Sequence, residues 1–501
     1  MFSSILSNLF TFQNLLLMNI GVAAGILIGA APGLSVAFAV TILLTMTYHM
    51  NSIAALVLML GAYCGGMFGG SITATLINTP GTANAVCTAL EGYPLARRGR
   101  AGDAMKLALV ASTIGGVFSC LCLLFFAPQL AKVVLKITSP EYFALCCFGI
   151  FAAIGLEGKT IEGIIKGFMS ACFGLLLGCV GSDPVYGSPR LLFGNYRMMS
   201  GIKTITVLLG AYALCQILVN SRVLVRDGEE SMHVEHVGKS TITFRDILKH
   251  WKTILKSSLI GTIVGAIPGT GGAVSAMFAY NEAKRSSKHP EEFGNGSIEG
   301  ILAAESANNA TTGGAMIPML TLGIPGDAVM AILLGALTMQ GISPGPNLFN
   351  GDGRSWVYTI MFSLILINIF MYFQGRFFVN AFSQIAKVPQ MIMIPCIVIM
   401  SMFGSYAISN NTFECTVMVV FGLVGFIMKR FGFPIPPLCI SLVLCSLFET
   451  NLRRSLILSD YNWAVFFTRP ISCVIMILSV LMMFMPIITN ALSKRKTKKN
   501  K

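Results

Sequence analysis

Two carboxylates, Glu305 and Asp327, lie within or beside long apolar stretches of the chain. An ionisable group inside a membrane segment is a functional candidate by default. A carboxylate there can bind Na⁺ or carry a coupling proton; it can also pair with a basic group or face a wet loop. Polar side chains cluster in the same stretches. One cluster holds Ser71, Thr73, Thr75, Asn78, Thr79, Thr82 and Asn84; the other holds Ser306, Asn308, Asn309, Thr311, Thr312 and Thr321. Hydroxyl and amide groups suit carboxylate recognition and also coordinate Na⁺. A single Ser or Thr serves equally as hydrogen-bonding glue between helices. An Asn is costlier to leave unpaired in an apolar setting, which favours a site at Asn78, Asn308 and Asn309. The candidate substrate-binding set is Ser71, Asn78, Thr79, Gly81, Thr82, Asn308, Asn309, Thr312, Gly323 and Gly326, with Glu305 and Asp327 as coupling-ion candidates. Glu91, close to Arg97, Arg98 and Arg100, reads as an interfacial partner. Arg453 and Arg454 either attract an anion or are ordinary loop charges.

These groups need elements that present polar backbone inside an apolar environment. Pro-Gly pairs interrupt the apolar runs at Pro32-Gly33, Pro80-Gly81, Pro268-Gly269 and Pro325-Gly326. Such a pair removes a backbone donor and relaxes the chain. In a bilayer, broken backbone must be buried in protein or line a wet cavity. The N–H groups opening the next half-helix then form an anion site aided by the helix dipole.

The composition agrees with a membrane setting. Of 501 residues, 54% are hydrophobic and 11% are charged, with mean hydropathy +0.75. Soluble domains carry about 25% charged residues, so an ordinary cytosolic enzyme and a disordered chain are both excluded. A span takes about 20 apolar residues, which leaves room for roughly ten to twelve spans plus broken or re-entrant helices. The expected fold is an all-α polytopic membrane protein. The net charge of +14 does not point to nucleic acid. Its clearest cluster, Lys494 to Lys501, follows an apolar run and reads as a cytoplasmic topology signal, with contact to anionic membrane lipids a second role. The cysteines lie mainly in apolar runs with no zinc spacing. His233 and His236 lack a matching second pair, so no metal is expected, and no cofactor beyond a coupling Na⁺ or H⁺. Gly238-Lys239-Ser240 lacks the glycine that a phosphate loop needs five positions earlier. Residues 1–14 carry no charge, so the first apolar run reads as retained and not as a signal peptide.

The chain also repeats itself. Gly25, Gly29, Ala30, Pro32 and Gly33 recur in type and spacing as Gly261, Gly265, Ala266, Pro268 and Gly269. Gly69-Gly70 before Asn78-Thr79-Pro80-Gly81 recurs as Gly313-Gly314 before Gly323-Ile324-Pro325-Gly326. Pro140 matches Pro389, and Phe173-Gly174-Leu175 matches Phe421-Gly422-Leu423. The division expected is a first membrane repeat at 1–220, a polar connection at 221–256, a second repeat at 257–491 and a basic tail at 492–501. Paired halves around a midplane site are a plan of secondary transporters. The loop 47–52 lacks Lys and Arg while its counterpart carries Lys284, Arg285 and Lys288; the next pair of loops has the opposite bias. Reversed bias in equivalent loops points to inverted topology. An ion or anion channel is the alternative. No G-x-S-x-G or H-E-x-x-H motif supports an enzyme.

The stretches GGSITATLINTPGTANAVCTALEGYPLARRGRAG and GILAAESANNATTGGAMIPMLTLGIPGDAVMAILLGAL, with GISPGPNLF and PPLCISLVLCSLFETNLRRSL, resemble the large membrane subunit of tripartite tricarboxylate transporters, the TctA family. The resemblance covers nearly the whole chain. It implies a multi-pass protein of the bacterial inner membrane and a small TctB-like membrane subunit. It also implies a periplasmic TctC-like solute-binding protein, and uptake of a carboxylate such as citrate driven by an ion gradient. Asp327 stands where a small hydroxyl residue would be equally expected in that family.

Overall fold

The computed structural model describes residues 2–31, 34–157, 160–227, 237–238, 240–268, 270–351, 353–384 and 390–499. Helix starts follow side-chain capping: Thr11, Ser35, Asn51, Thr160, Ser297 and Asp327 each accept a backbone N–H from the first turn that follows. The first set of helices is α1 (Phe12–Ala30), α2 (Val36–Met46), α3 (Ser52–Ile77), α4 (Val86–Leu95), α5 (Ala101–Val134), α6 (Ser139–Glu157) and α7 (Ile161–Gly178). It closes with α8, which runs over 204–227 through a wider turn at Leu209–Leu214. The second set is α9 (Trp251–Ala266), α10 (Gly271–Ser286), α11 (Ile298–Leu322), α12 (Ala328–Met339), α13 (Gly353–Ser383), α14 (Gln390–Ser409), α15 (Thr412–Arg430) and α16 (Ile435–Leu458). A last helix, α17 (Pro470–Lys499), follows. Among the described residues the only strand pairing is a short hairpin, Gly181–Ser182 with Pro189–Arg190.

The fold is all-α and polytopic. Among the described residues, 8 helical stretches are long and apolar enough to cross a membrane. The apolar runs that carry the Pro32-Gly33 and Pro268-Gly269 pairs each hold two helices, α1 ending at Ala30 before α2 opens at Val36, and α9 ending at Ala266 before α10 opens at Gly271. Hydropathy cannot see these turns, because both arms are apolar.

Packing between the two sets is reciprocal. α1 packs on α3 and α9 on α11; α3 packs on α13 and α11 on α5; α7 packs on α16 and α15 on α8. Glycines set the closeness of these pairs. An added methyl at Gly25 would stand 2.4 Å from the Ala62 carbonyl oxygen, and one at Gly261 would stand 2.3 Å from that of Ala307. Only backbone without a Cβ permits that approach.

Contacts also fix the direction of each element. Ser71 meets Glu305 and Met67 meets Asn308, so α3 and α11 run antiparallel. Gly21, Gly25 and Gly29 of α1 face Leu58, Ala62 and Gly66 in turn, so α1 runs parallel to α3 and α2 returns toward the end where α3 began. At that end Gln340 reaches the Thr47 carbonyl and Trp356 reaches Ser52. At the opposite end Glu91 meets Gly294, Gly296 and Ser297, and Asp103 meets Ser240 and Thr241. Arg97, Arg98, Arg100, Lys249, Lys284, Arg285 and Lys288 gather at this second, basic end.

Candidate functional site

The turns that interrupt the apolar runs meet at one cavity of about 630 Å³. Ser35 and Val36 open α2 on its wall. Thr82, Ala83 and Asn84 lead into α4; Thr270, Gly271 and Gly272 open α10; Asp327, Ala328 and Val329 open α12. Four half-helix N-termini thus share one space, each with first-turn N–H groups and a positive dipole end. Gly163, Lys429, Gly432 and Phe433 also line the cavity.

Among the described lining residues, Asp327 and Lys429 carry the charge. Tyr63 Oη donates to Asp327 Oδ2 at 2.7 Å, and Met330 N donates to Oδ1 at 2.8 Å. The carboxylate is therefore held in a fixed direction at the start of α12. Lys429 Nζ donates to Gln216 Oε1 at 2.7 Å. Thr82 follows Pro80-Gly81 as Asp327 follows Pro325-Gly326. Thr82 makes no cap bond, and its buried hydroxyl has no partner in the structure.

Glu305 lies apart from the cavity, buried between four helices. Ser71 Oγ donates to its Oε1 at 2.6 Å, Thr88 Oγ1 donates to the same oxygen, and Ser112 Oγ donates to Oε2 at 2.9 Å. Asn308 bonds the Met67 carbonyl through Nδ2 at 3.2 Å, and its buried Oδ1 has no partner. Asn309 is buried with both amide atoms unpartnered, and Thr312 folds back on the Asn309 carbonyl.

The other sequence candidates have structural places. Asn78 (φ 54°) and Gly323 (φ 70°) end α3 and α11 as left-handed C-caps. Thr79 bonds the Ile77 carbonyl. Gly81 donates to the Gly70 carbonyl at 3.2 Å, and Gly81 and Gly326 press against the Gly29 and Gly265 carbonyls. Pro80, Pro268 and Pro325 lie in the turns between half-helices. Pro32, Gly33, Gly269, Pro389, His233 and His236 lie outside the described residues. Glu91 departs from its expected role. Its carboxylate accepts from Tyr280 and from the amides of Gly294, Gly296 and Ser297 at 2.6–2.8 Å, because α4 carries it against the turn that opens α11 and not toward the arginines. Arg453 is engaged by Asp183 at 2.7 Å and Glu449 at 2.9 Å, with Arg190 forked onto Glu449. Backbone N–H groups of Tyr186 and Val185, with Arg453 and Arg190, hold the Asp183 carboxyl down at about 2. Tyr63, Lys429, Ser35 and Thr270 escaped sequence reading. Ser35 and Thr270 follow the Pro-Gly pairs closely, while Tyr63 and Lys429 stand apart from them and reach the cavity through the paths of their helices.

The family comparison matches residues 15–440 to the model described as "Tripartite tricarboxylate transporter TctA family". The chain belongs to the TctA family. A protein of Agrobacterium vitis named "Uncharacterized 52.8 kDa protein in TAR-I ttuC' 3'region" is 34% identical over 476 residues, covering 95% of this chain and 93% of the relative. A shorter one from the same organism, "Uncharacterized protein in TAR-II ttuC' 3'region", is 34% identical over 235 residues, which is 47% of this chain and 97% of the relative. No solved structure matches. This TctA-family chain is accordingly a multi-pass membrane component of a transporter family.

Proposed function

We propose that this TctA-family protein is the translocating subunit of an ion-gradient-driven importer of an organic di- or tricarboxylate. One observation carries the reading: four half-helix N-termini and Lys429 converge on one cavity that also holds Asp327. Half-helix N-termini aimed at an anion are a recurring device of secondary transporters. Lys429 and the N–H groups of α2, α4, α10 and α12 would hold the carboxylates. Asp327 would repel a bound anion while ionised. A proton or a cation at Asp327 removes that repulsion, so anion binding and ion binding favour one another. Access from the basic end would alternate with access from the other end as the two inverted sets of helices rock around the cavity.

The basic end and, from its own lysines and arginine, the C-terminal tail are both assigned to the cytoplasm of a bacterial inner membrane. A small TctB-like subunit and a periplasmic TctC-like binding protein would complete the system. The test is uptake of a labelled carboxylate panel by proteoliposomes holding all three proteins, under an imposed Na⁺ or proton gradient. Concentrative uptake that needs one ion and the binding protein is expected. Downhill, non-saturating flux under every gradient would favour a channel and reject the importer.

A further inference from the structure

The Glu305 cluster has a chemistry that the cavity does not use. Its carboxylate is fully buried and accepts from Ser71, Thr88 and Ser112, which belong to α3, α4 and α5. Among the described residues no Lys or Arg pairs with it. The nearest basic group along α5, Lys106, directs its amine to the Ile242 carbonyl at the basic end. A lone carboxylate in a membrane interior needs a compensating positive charge. One turn further along α11, on the same face, Asn309 is buried with Oδ1 and Nδ2 both unpartnered. Buried amides seldom lack partners.

We propose that Glu305, Ser71, Thr88, Ser112 and Asn309 form a binding site for a monovalent hard cation of sodium type, separate from the cavity. Each hydroxyl can turn its proton outward and offer a lone pair to an ion. The set would then be one carboxylate, three hydroxyl oxygens and one amide oxygen. Oxygen ligands suit hard cations, and a divalent ion draws more oxygens and more carboxylates than this set holds. One negative charge balances one positive charge. A proton on Glu305 would also neutralise it, but its single O–H can meet only one oxygen, where a cation draws on all of them. Thr88 ties the site to α4, and Thr82 and Asn84, which lead into that helix, line the cavity. An ion here would fix the arm that presents one of the anion-binding N-termini. That purpose rests on the importer reading; the ion site itself does not.

The experiment is ²²Na⁺ binding and thermal unfolding of the full purified chain, with no carboxylate and no partner subunit, in Na⁺ against K⁺ or choline. Saturable Na⁺ binding and a higher melting temperature in Na⁺ are expected. Glu305→Gln should abolish both. Ser112→Ala should raise the half-saturating Na⁺ about tenfold, the scale of one lost ligand to a charged group. Ser119→Ala, which removes a buried hydroxyl of α5 that bonds the Gly116 carbonyl, should leave both unchanged. If Glu305→Gln does not fold, the Ser112→Ala shift carries the test. Absence of Na⁺-specific binding in the wild type, or its survival in Glu305→Gln, overturns the proposal, as does unshifted binding in Ser112→Ala. Na⁺ binding that persists in a chain unable to support carboxylate uptake would reject the importer and keep the site. Uptake without Na⁺ binding would do the reverse.

Discussion

Asp327 and Thr82 occupy twin positions after twin Pro-Gly turns, but Asp327 alone brings a carboxyl group, which caps its helix. Tyr63 supplies the hydrogen bond that holds Asp327 in direction. A hydrogen bond to a charged group contributes about 1.5–3 kcal/mol. Tyr63→Phe should therefore weaken whatever Asp327 does without removing its charge. In the reconstituted system we expect Asp327→Asn to lose concentrative uptake, and Tyr63→Phe to retain uptake with weaker ion dependence. Full coupling in Asp327→Asn would remove Asp327 from the mechanism. Lys429→Gln should raise the half-saturating carboxylate concentration about tenfold or more, the scale of a lost charged hydrogen bond; an unchanged value would take Lys429 out of the anion site. A different residue sets a pH dependence of stability. Asp183 is held at about 2 by the Tyr186 amide and its neighbours, below the usual carboxylate value of about 3.9. A depressed carboxylate stabilises the fold above its unfolded value, and that contribution is lost as pH falls through about 2. Asp183→Asn should melt below the wild type at neutral pH, with the gap closing toward pH 2. A gap independent of pH would show that this ion cluster does not set it. Asp327 was legible in the sequence because a charge beside a Pro-Gly turn in an apolar run is conspicuous. Tyr63 and Lys429 were not, since they are distant in sequence from the other residues at the cavity.

At the scale of the elements, G-x-x-x-G spacing was the most informative signal. It marked the faces where α1 meets α3 and α9 meets α11, because a repeat of glycine one turn apart clears a strip of backbone. It did not reveal that α2 and α10 turn back after their Pro-Gly breaks, because direction depends on packing and not on hydropathy. Asn78 and Gly323 are substrate-binding candidates by their place in the motifs. Their left-handed backbone gives each the work of ending a helix. The glycine faces make a direct prediction. A methyl at Gly25 would meet Ala62 and Gly66 backbone at 2.4–2.8 Å, and backbone cannot swing aside as a side chain can. Gly25→Ala and Gly261→Ala should each cost about 1–3 kcal/mol through forced overpacking. Gly335→Ala meets only side-chain atoms at 3.7 Å or more, and within a helix should be neutral or stabilising by up to about 1 kcal/mol. Thermal unfolding in one detergent compares the three. Equal melting temperatures would mean that the helices do not pack as closely as described.

At the scale of the whole molecule, the antiparallel run of α3 and α11 bears on how the two halves are related. α2 leads into α3 as α10 leads into α11, yet the connecting loops lie at opposite ends of the molecule. Residues 47–51 join Ser52, Thr47 and Gln340 at one end; residues 287–297 join Glu91 at the basic end. If the halves are inverted repeats across a membrane, these equivalent loops face opposite compartments. Lys and Arg concentrate at the second end, which favours the cytoplasm for it. The sequence hinted at this through charge alone, and the basic stretch after residue 221 blurred the hint. Directions taken from hydrogen bonds do not depend on charge. The expectation is sharp for single cysteines introduced at His49 and Lys288, with labelling of the unaltered chain subtracted as background. A membrane-impermeant maleimide should reach His49→Cys in intact cells, and Lys288→Cys only in inverted membrane vesicles. Labelling of both from the same side would break the inverted arrangement, and with it the proposal that the two halves exchange roles as access alternates. Labelling from opposite sides but with the compartments exchanged would keep the inversion and overturn only the assignment of the basic end.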